Sequence, residues 1–438
     1  MFSRISLVII FAVQVLASTR VFAQDSATSV PTSGAVAPST IETAAPETNA
    51  MSTPTSASSD NPLAPTPELT AGTVSSVSAP LPGLDLTTPP VKFKGNLDVL
   101  EIGREYDDKY MQSAGSLTVV TPHFDAIYTS WMSFDLELSG IFVAGNTKNL
   151  YTDEGKGTNI VILDEAAVNF KPIKELDIRA GALLTKINPI LSIMSENAFV
   201  GMSQKYTFTS LSQNVKLSFG GEEAIPSAGT VTPGLIDGAS DAYFLTGTLA
   251  ADINFTGMSS RLKIATTAFE FGNLSSNVAS DCRFIGNSPE SFDGIGDSSR
   301  FTIGFAGYES ALSFKTDWTN TFSSEFVGST IINQKAPGDR NNGIQTFVNV
   351  KKKFEKFNLV PSLGYFDMAA DVTPATYTIF PNRYHNRKGY TVELDVQLDK
   401  QKIVFFGSYT RANVLQDSIY LADRNMFNLG LEAKYDFL

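Results

Sequence analysis

Chemistry in a protein chain rests on a small set of side chains, and this sequence is sparing with them. It holds two His and one Cys in 438 residues. His123 and His385 are too few for a His-based metal site or a His-driven catalytic centre. The lone Cys282 excludes an intramolecular disulfide framework, a four-cysteine zinc site and an iron–sulfur cluster. The pattern places His123 in a turn and His385 in a loop between Tyr384 and Asn386, where a lone His is solvated surface. Cys282 reads as an exposed loop thiol, free or paired between chains. No glycine-rich phosphate loop precedes a helix. No metal, no cofactor and no catalytic residue is expected, and the chain does not read as an enzyme.

The chemistry that is abundant is charge at every second position. Asp135 and Glu137 alternate with Phe134, Leu136 and Leu138, and Asp177 and Arg179 alternate with Leu176, Ile178 and Ala180. Glu393, Asp395 and Gln397 alternate with Val392, Leu394, Val396 and Leu398. Glu432, Lys434 and Asp436 alternate with Leu431, Ala433, Tyr435 and Phe437. A period of two is the signature of strands with one apolar and one polar face. Read to the same parity, the polar face carries Lys92, Lys94, Arg179, Arg261, Lys263, Lys351, Lys353 and Lys434. It also carries Asp98, Asp135, Glu137, Asp177, Glu393, Asp395, Glu432 and Asp436, an equal number of acids.

These strands fill residues 91–438. Long and short connectors alternate along them. Asn413–Asn425, Ala370–Lys388, Ile332–Gly343, Asn273–Ser299 and Gly221–Ser240 are long. Asp399–Gln401, Phe354–Lys356, Lys315–Asp317 and Phe255–Gly257 are tight. The N-terminal half keeps the parity if a strand occupies Phe199–Phe208. Its loops are then Arg104–Ser113, Gly145–Gly157 and Asn188–Ala198, and its turns lie at His123–Thr129, Lys171–Glu175 and Thr209–Asn214. Short turns at one end and long loops at the other mark a transmembrane barrel. The expected fold is all-β: an antiparallel β-barrel of about 16 strands, with 14 or 18 as the alternatives around 199–219.

Two segments precede the barrel. Residues 1–23 read as a signal peptide: Arg4, an apolar stretch from Ile5 to Ala17 too short to span a bilayer, and a cleavage site at Val21-Phe22-Ala23. Residues 24–90 read as a disordered linker. Of residues 25–90, 44 are Ala, Ser, Thr or Pro, with no aromatic and no basic residue, so too little apolar surface exists to offset chain entropy. The linker could reach toward the cell wall. The net charge of −12 argues against a nucleic-acid partner.

A barrel of 16 strands leaves an aqueous channel, so the polar face is the expected pore wall. Its balance of signs argues against strong anion selection. Glu222, Glu223, Asp237, Asp281, Glu290, Asp293 and Asp297 make the mouth acidic, which tilts the traffic toward cations. The third loop is unusually apolar, with Pro189, Ile190, Leu191, Ile193 and Met194. It either narrows the lumen, with Glu196 as a constriction acid facing Arg179, or packs on the rim. Lys351, Lys352 and Lys353 cluster beside a tight turn, suited to lipid head groups at the inner boundary.

Two stretches resemble a known family. The end of the chain, Lys434-Tyr435-Asp436-Phe437-Leu438, is similar to the terminal signal by which outer-membrane barrels are recognised for insertion, with Tyr435 and Phe437 as its aromatic residues. Asp164 to Phe170, Leu176 to Gly181, and Asn188-Pro189 resemble the strand pair before the third loop of Gram-negative porins. The likeness is greatest to the phosphate-selective and siderophore-porin branches. The resemblance implies a diffusion channel in the Gram-negative cell outer membrane, in contact with lipid, lipopolysaccharide and the barrel-assembly machinery, and a homotrimer as in the general porins. It carries over no solute, and no ladder of Lys and Arg like that of the phosphate channels is evident. The expected function is passive diffusion of small hydrophilic solutes and ions with mild cation preference. The alternatives are a substrate-specific channel, for a siderophore or another chelate, and a closed structural or adhesive barrel.

Overall fold

The computed structural model describes residues 91–437, except 109–111, 146–158, 185–197, 211–213, 227–241, 292–298, 379–384 and 419. Residues 1–90 lie outside it, and with them the signal-peptide and linker readings.

Sixteen strands form one closed antiparallel barrel. They are β1 (Lys92–Asp108), β2 (Gln112–Thr129), β3 (Met132–Gly145), β4 (Ile160–Ile173), β5 (Leu176–Leu184), β6 (Ala198–Thr209), β7 (Val215–Ile225) and β8 (Tyr243–Phe255). Then come β9 (Ser260–Gly272), β10 (Phe305–Thr319), β11 (Phe322–Asn333), β12 (Asn342–Lys353), β13 (Asn358–Met368), β14 (Arg387–Leu398), β15 (Ile403–Val414) and β16 (Arg424–Asp436). Each strand pairs with its chain neighbours, and β1 pairs with β16 from Asn96↔Asp436 to Asp108↔Arg424, so no edge is left open. The strand at 199–208 is β6, which fixes the count at 16 rather than 14 or 18. No described helix is long and apolar enough to cross a membrane.

Alternation decides which face is which. Phe427, Leu429, Tyr435 and Phe437 are exposed on one face of β16, as are Val392 and Leu394 of β14, Leu363 of β13, Val348 of β12 and Leu249 of β8. The opposite face carries Lys434, Glu393 and Arg261 lower down. Toward the long-loop end it carries Phe199, Phe244, Phe271, Phe305, Phe366 and Met368, all buried against loop segments. The face that encloses a core is the inner one. Exposed aromatic residues also crowd the short-turn end of the outer face, including Trp131, Phe208, Trp318, Phe354 and Tyr435. Such a girdle marks a membrane–water boundary.

The connectors refine the sequence expectations. β1 and β2 run farther than expected, to Asp108 and from Gln112, so the loop expected at Arg104–Ser113 shrinks to a short connection. His123 lies inside β2 and not in a turn, because β2 continues to Thr129. Glu222 and Glu223 lie in β7 and not in the fourth loop, Glu222 facing inward and Glu223 outward. The fifth loop contains the only long helix among the described residues, α1 (Ser276–Phe284), whose N-terminus is capped by Ser275 Oγ accepting from Val278 N at 3.3 Å. A two-residue ribbon pairs Glu290 with Arg300 and Ser291 with Ser299.

Candidate functional site

The inner wall is built from the polar register of every strand. All of Asp135, Glu137, Asp177, Arg179, Arg261, Lys263, Lys351, Lys353, Glu393, Asp395, Glu432 and Lys434 lie on that register. Their placement follows from the pleat, since successive side chains point to opposite faces.

On β2 to β5 the wall is an acid-rich network. His123 Nε2 lies 2.8 Å from Asp125 and its Nδ1 3.2 Å from Glu137. Arg179 pairs with Glu165, donates from Nε to Asn169 Oδ1 at 2.8 Å and stands 4.0 Å from Asp135. Asn169 in turn donates to Asp135 at 2.5 Å. Asp177 faces Lys171 at 3.4 Å. His123 is therefore part of the wall, a role that its expected position in a turn hid.

The wall from β6 to β10 carries the opposite sign. Arg261 Nε donates to Asp252 at 2.7 Å, with Lys216 and Lys263 close enough to act on the same carboxylate. Lys205 and Lys315 sit on the same register two strands or less away. From β11 to β14 the wall is mixed. A cavity of about 310 Å³ is lined by Glu325, Asn349, Ser362, Thr391 and Glu393 with Val327, Phe347 and Gly364. Lys351 Nζ donates to Gln397 at 2.9 Å, and Ser313 donates to Glu325 at 2.6 Å. At the seam between β16 and β1, Lys434 bridges Glu432 at 2.9 Å and Asp98 at 3.0 Å.

The outer end of the lumen departs from expectation. On the β6–β15 side it is filled by a hydrophobic plug. Val278, Cys282 and Ile285 of the fifth loop join Ala369, Val372, Ala375 and Tyr377 of the loop between β13 and β14. These pack on the inward Phe199, Phe244, Phe271, Phe305 and Met368. Tyr377 meets Phe199 edge-on at 5.0 Å. Asn287 acts as a clamp, donating to Ala370 O at 2.7 Å and Thr373 O at 2.8 Å and accepting from Ala375 N at 2.7 Å. Gly286, at φ 119°, passes so close to His385 that a Cβ would meet its carbonyl oxygen at 2.0 Å, so only glycine fits.

Two expectations are corrected here. His385 is fully buried and not solvated surface, because its Nε2 lies 3.0 Å from Thr378 Oγ1 and its backbone N–H donates to Ile285 O at 3.1 Å. Burial lowers its pKa to about 4. Cys282 is likewise buried in the plug and not an exposed thiol. Asp371 pairs with Arg340, accepts from Ser288 N at 3.1 Å and is almost wholly buried. Burial pushes its carboxyl up more than these partners pull it down.

Pro189, Ile190, Leu191, Ile193, Met194 and Glu196 lie outside the described residues, as do Asp237, Asp293 and Asp297. Tyr435 and Phe437 stand exposed on the outer face, and Phe437 meets Phe124 edge-on at 5.6 Å. The plug is what the sequence reading missed. Its signal was present: Phe269, Phe271, Phe305 and Phe366 occupy inward positions where the period of two demands polar residues.

No family model and no curated protein matches the chain. Solved structures do. The chain is similar to OprB of Pseudomonas putida at 11% identity, with 79% of this chain and 94% of that one covered and a TM-score of 0.49. It is similar to the outer membrane channel DcaP of Acinetobacter baumannii at 11% identity, covering 79% and 97%, with a TM-score of 0.45. A porin of Rhodopseudomonas blastica matches at 9% identity over 79% of this chain and all of that one, with a TM-score of 0.42. At such identities and scores, any functional reading rests on the chain's own geometry.

Proposed function

We propose that this chain is a diffusion channel in the outer membrane of a Gram-negative bacterium, passing small hydrophilic solutes and ions with a mild preference for cations. One observation carries the reading. The barrel is closed, its outer face is apolar with an aromatic girdle, and its inner face is charged. A lipid-facing exterior around a polar interior is the reverse of a soluble barrel.

The wall suits passage rather than capture. Acids and bases stand in local pairs, so an ion finds many weak sites in sequence and no deep one, as conduction requires. Asp125, Asp135, Glu137 and Glu165 outnumber Arg179 on β2 to β5, which favours cations there. Lys205, Lys216, Lys263 and Lys315 offset them on the adjoining wall from β6 to β10, which keeps the preference mild.

The plug favours a second reading, a substrate-specific channel. It narrows the outer entrance on the β6–β15 side, where a loop surface could recognise a chelate or another solute. Further proposals follow from the membrane reading: contact with lipid and lipopolysaccharide, insertion by the barrel-assembly machinery through Tyr435 and Phe437, a homotrimer, and contact with the cell wall through 24–90.

The test is conductance of the purified protein in a planar bilayer under a salt gradient. Stable openings with a small cation-favouring reversal potential support the diffusion channel. A heat-modifiable barrel that never opens without an added solute points to the specific channel.

A further inference from the structure

The inner wall is not polar all round. Lys434 faces inward and bridges Asp98 of β1, which fixes the inward register of β1 to β3. Farther along that register, toward the long loops, the side chains turn aliphatic. Leu100 of β1 stands opposite Val119 of β2, Val119 opposite Ile141 of β3, and Ile141 opposite Ile160 of β4. A second row above it sets Ile102 opposite Leu117 and Leu117 opposite Val143. Neighbouring strands lie about 4.8 Å apart and alternate residues about 7 Å apart, so the strip is roughly 14 Å wide and 7 Å high. Ile160 is 43% exposed and the others are half-buried. The core of the plug draws on the wall from β6 to β15 and includes none of these residues. The strip therefore walls the outer lumen that the plug leaves beside it. Wet apolar surface of this extent costs free energy that an apolar occupant recovers.

The row directly below the strip is acid and hydroxyl. The hydroxyls of Thr121 and Ser139 lie 2.8 Å apart, and Ser139 donates to Asp164. Asp98, on the same row, is bridged by Lys434 at 3.0 Å. Glu137, farther down, is shared with His123 at 3.2 Å. Asp164 differs from these acids: it pairs with no base among the described residues. It also borders the strip directly, because Ile162, two residues away, is the register partner of Ser139.

We propose that the aliphatic strip and Asp164 form a subsite for an aliphatic ammonium ion, a proposal that rests on the diffusion-channel reading and names a solute class for it. The ammonium group sits at Asp164, where its three N–H donors meet the carboxylate and the Ser139 and Thr121 oxygens. The chain lies upward along Ile141 and Val119 toward Val143 and Leu117. A chain of about six carbons spans the two rows. A carboxylate on a chain of the same length gains the same apolar contact but meets the acids below, and is repelled. Only one side of the chain is covered, so the subsite is weak and slows passage without stopping it.

The experiment titrates the full chain in lipid nanodiscs, by calorimetry, with n-alkylammonium chlorides from methyl to hexyl and with sodium hexanoate. Heats from empty nanodiscs are subtracted. Affinity should rise about twofold per methylene, since full burial gives about fourfold and a chain on a wall is covered on one side. Hexanoate should not bind. Asp164→Asn should weaken hexylammonium at least fivefold and keep the dependence on chain length. Val119→Asn with Ile141→Asn should flatten that dependence. The wild-type series needs no variant and decides the matter alone if a variant fails to fold. An affinity that does not rise with chain length, as a strip covered by one of the chain's own loops would give, overturns the proposal. Hexanoate binding as tightly as hexylammonium overturns it too. Conductance of the same preparation separates the two readings. Chain-length-dependent binding without openings upholds the subsite and removes the diffusion channel, and openings with a flat series do the reverse.

Discussion

The Tyr377 ring lies nearly parallel to Phe271 at a centroid separation of 5.6 Å, joining the loop between β13 and β14 to the inner wall of β9. The contact turns an exposed connector into part of the barrel interior. Tyr377 is 1% exposed and also meets Phe199 of β6, so the walls of two strands converge on one loop side chain. The plug is therefore held by apolar packing first, with the Asn287 clamp and the Asp371–Arg340 pair fixing its register.

Removing that ring should loosen the plug. Tyr377→Ala deletes a buried aromatic side chain and should cost roughly 3–5 kcal/mol of local stability, as for other large-to-small core changes. The barrel itself, held by its strand ladders, should still form. Larger single-channel steps with an intact heat-modifiable band are expected. A variant with wild-type conductance would show that the plug does not limit the path.

Acid should loosen the plug as well, through His385. Its folded pKa of about 4 lies below the ordinary value of 6.5. Between those values the released loop binds a proton that the packed loop does not. His385 therefore contributes fully above pH 6.5, and stability falls as pH drops, by about 1.4 kcal/mol per pH unit and roughly 3 kcal/mol by pH 4. Asp371, with its carboxyl pushed up, works in the opposite direction in the lower part of this window. Comparing His385→Gln with wild type isolates the histidine. Conductance that rises on acidification in the wild type and stays flat in the variant is the expected result. Equal pH profiles would remove His385 from the account.

Most of the barrel was legible because a strand's period of two is local. Val392 to Leu398 and Leu429 to Phe437 state their faces residue by residue, and loop asymmetry then orients the whole. The plug was not legible, because it depends on which distant loops fold inward. Asn287 and Ala375 are far apart in sequence, and no spacing announces their bond. The inward Phe271 and Phe305 did break the alternation, and that break marks where an interior surface is covered rather than wet. His123 was misplaced for a simpler reason: the β2–β3 turn is two residues long, and Thr129 lies still within β2.

Arg179 offers the most direct test of the wall. Its guanidinium is the cation held among Glu165, Asp135 and Asn169. Arg179→Ala leaves those acids uncompensated in the lumen, so cation preference should increase. Screening over roughly 8 Å limits the change to about two- to threefold in permeability ratio. The reversal potential under a salt gradient reads it directly. Identical traces for variant and wild type would mean that the conducting path avoids β5.

The segment before β1 should be dispensable for the barrel. Every strand from β1 to β16 finds both partners within residues 92–436, and the β1–β16 pairing closes the ring without help from upstream. A chain lacking Ser26–Pro89 but keeping residues 1–25 should therefore be exported and inserted, and should conduct like the full chain. If it fails to give a heat-modifiable band, the upstream segment contributes to assembly itself. If it inserts normally but binds less peptidoglycan in a pull-down, the segment acts as the wall contact that its length and composition suggest.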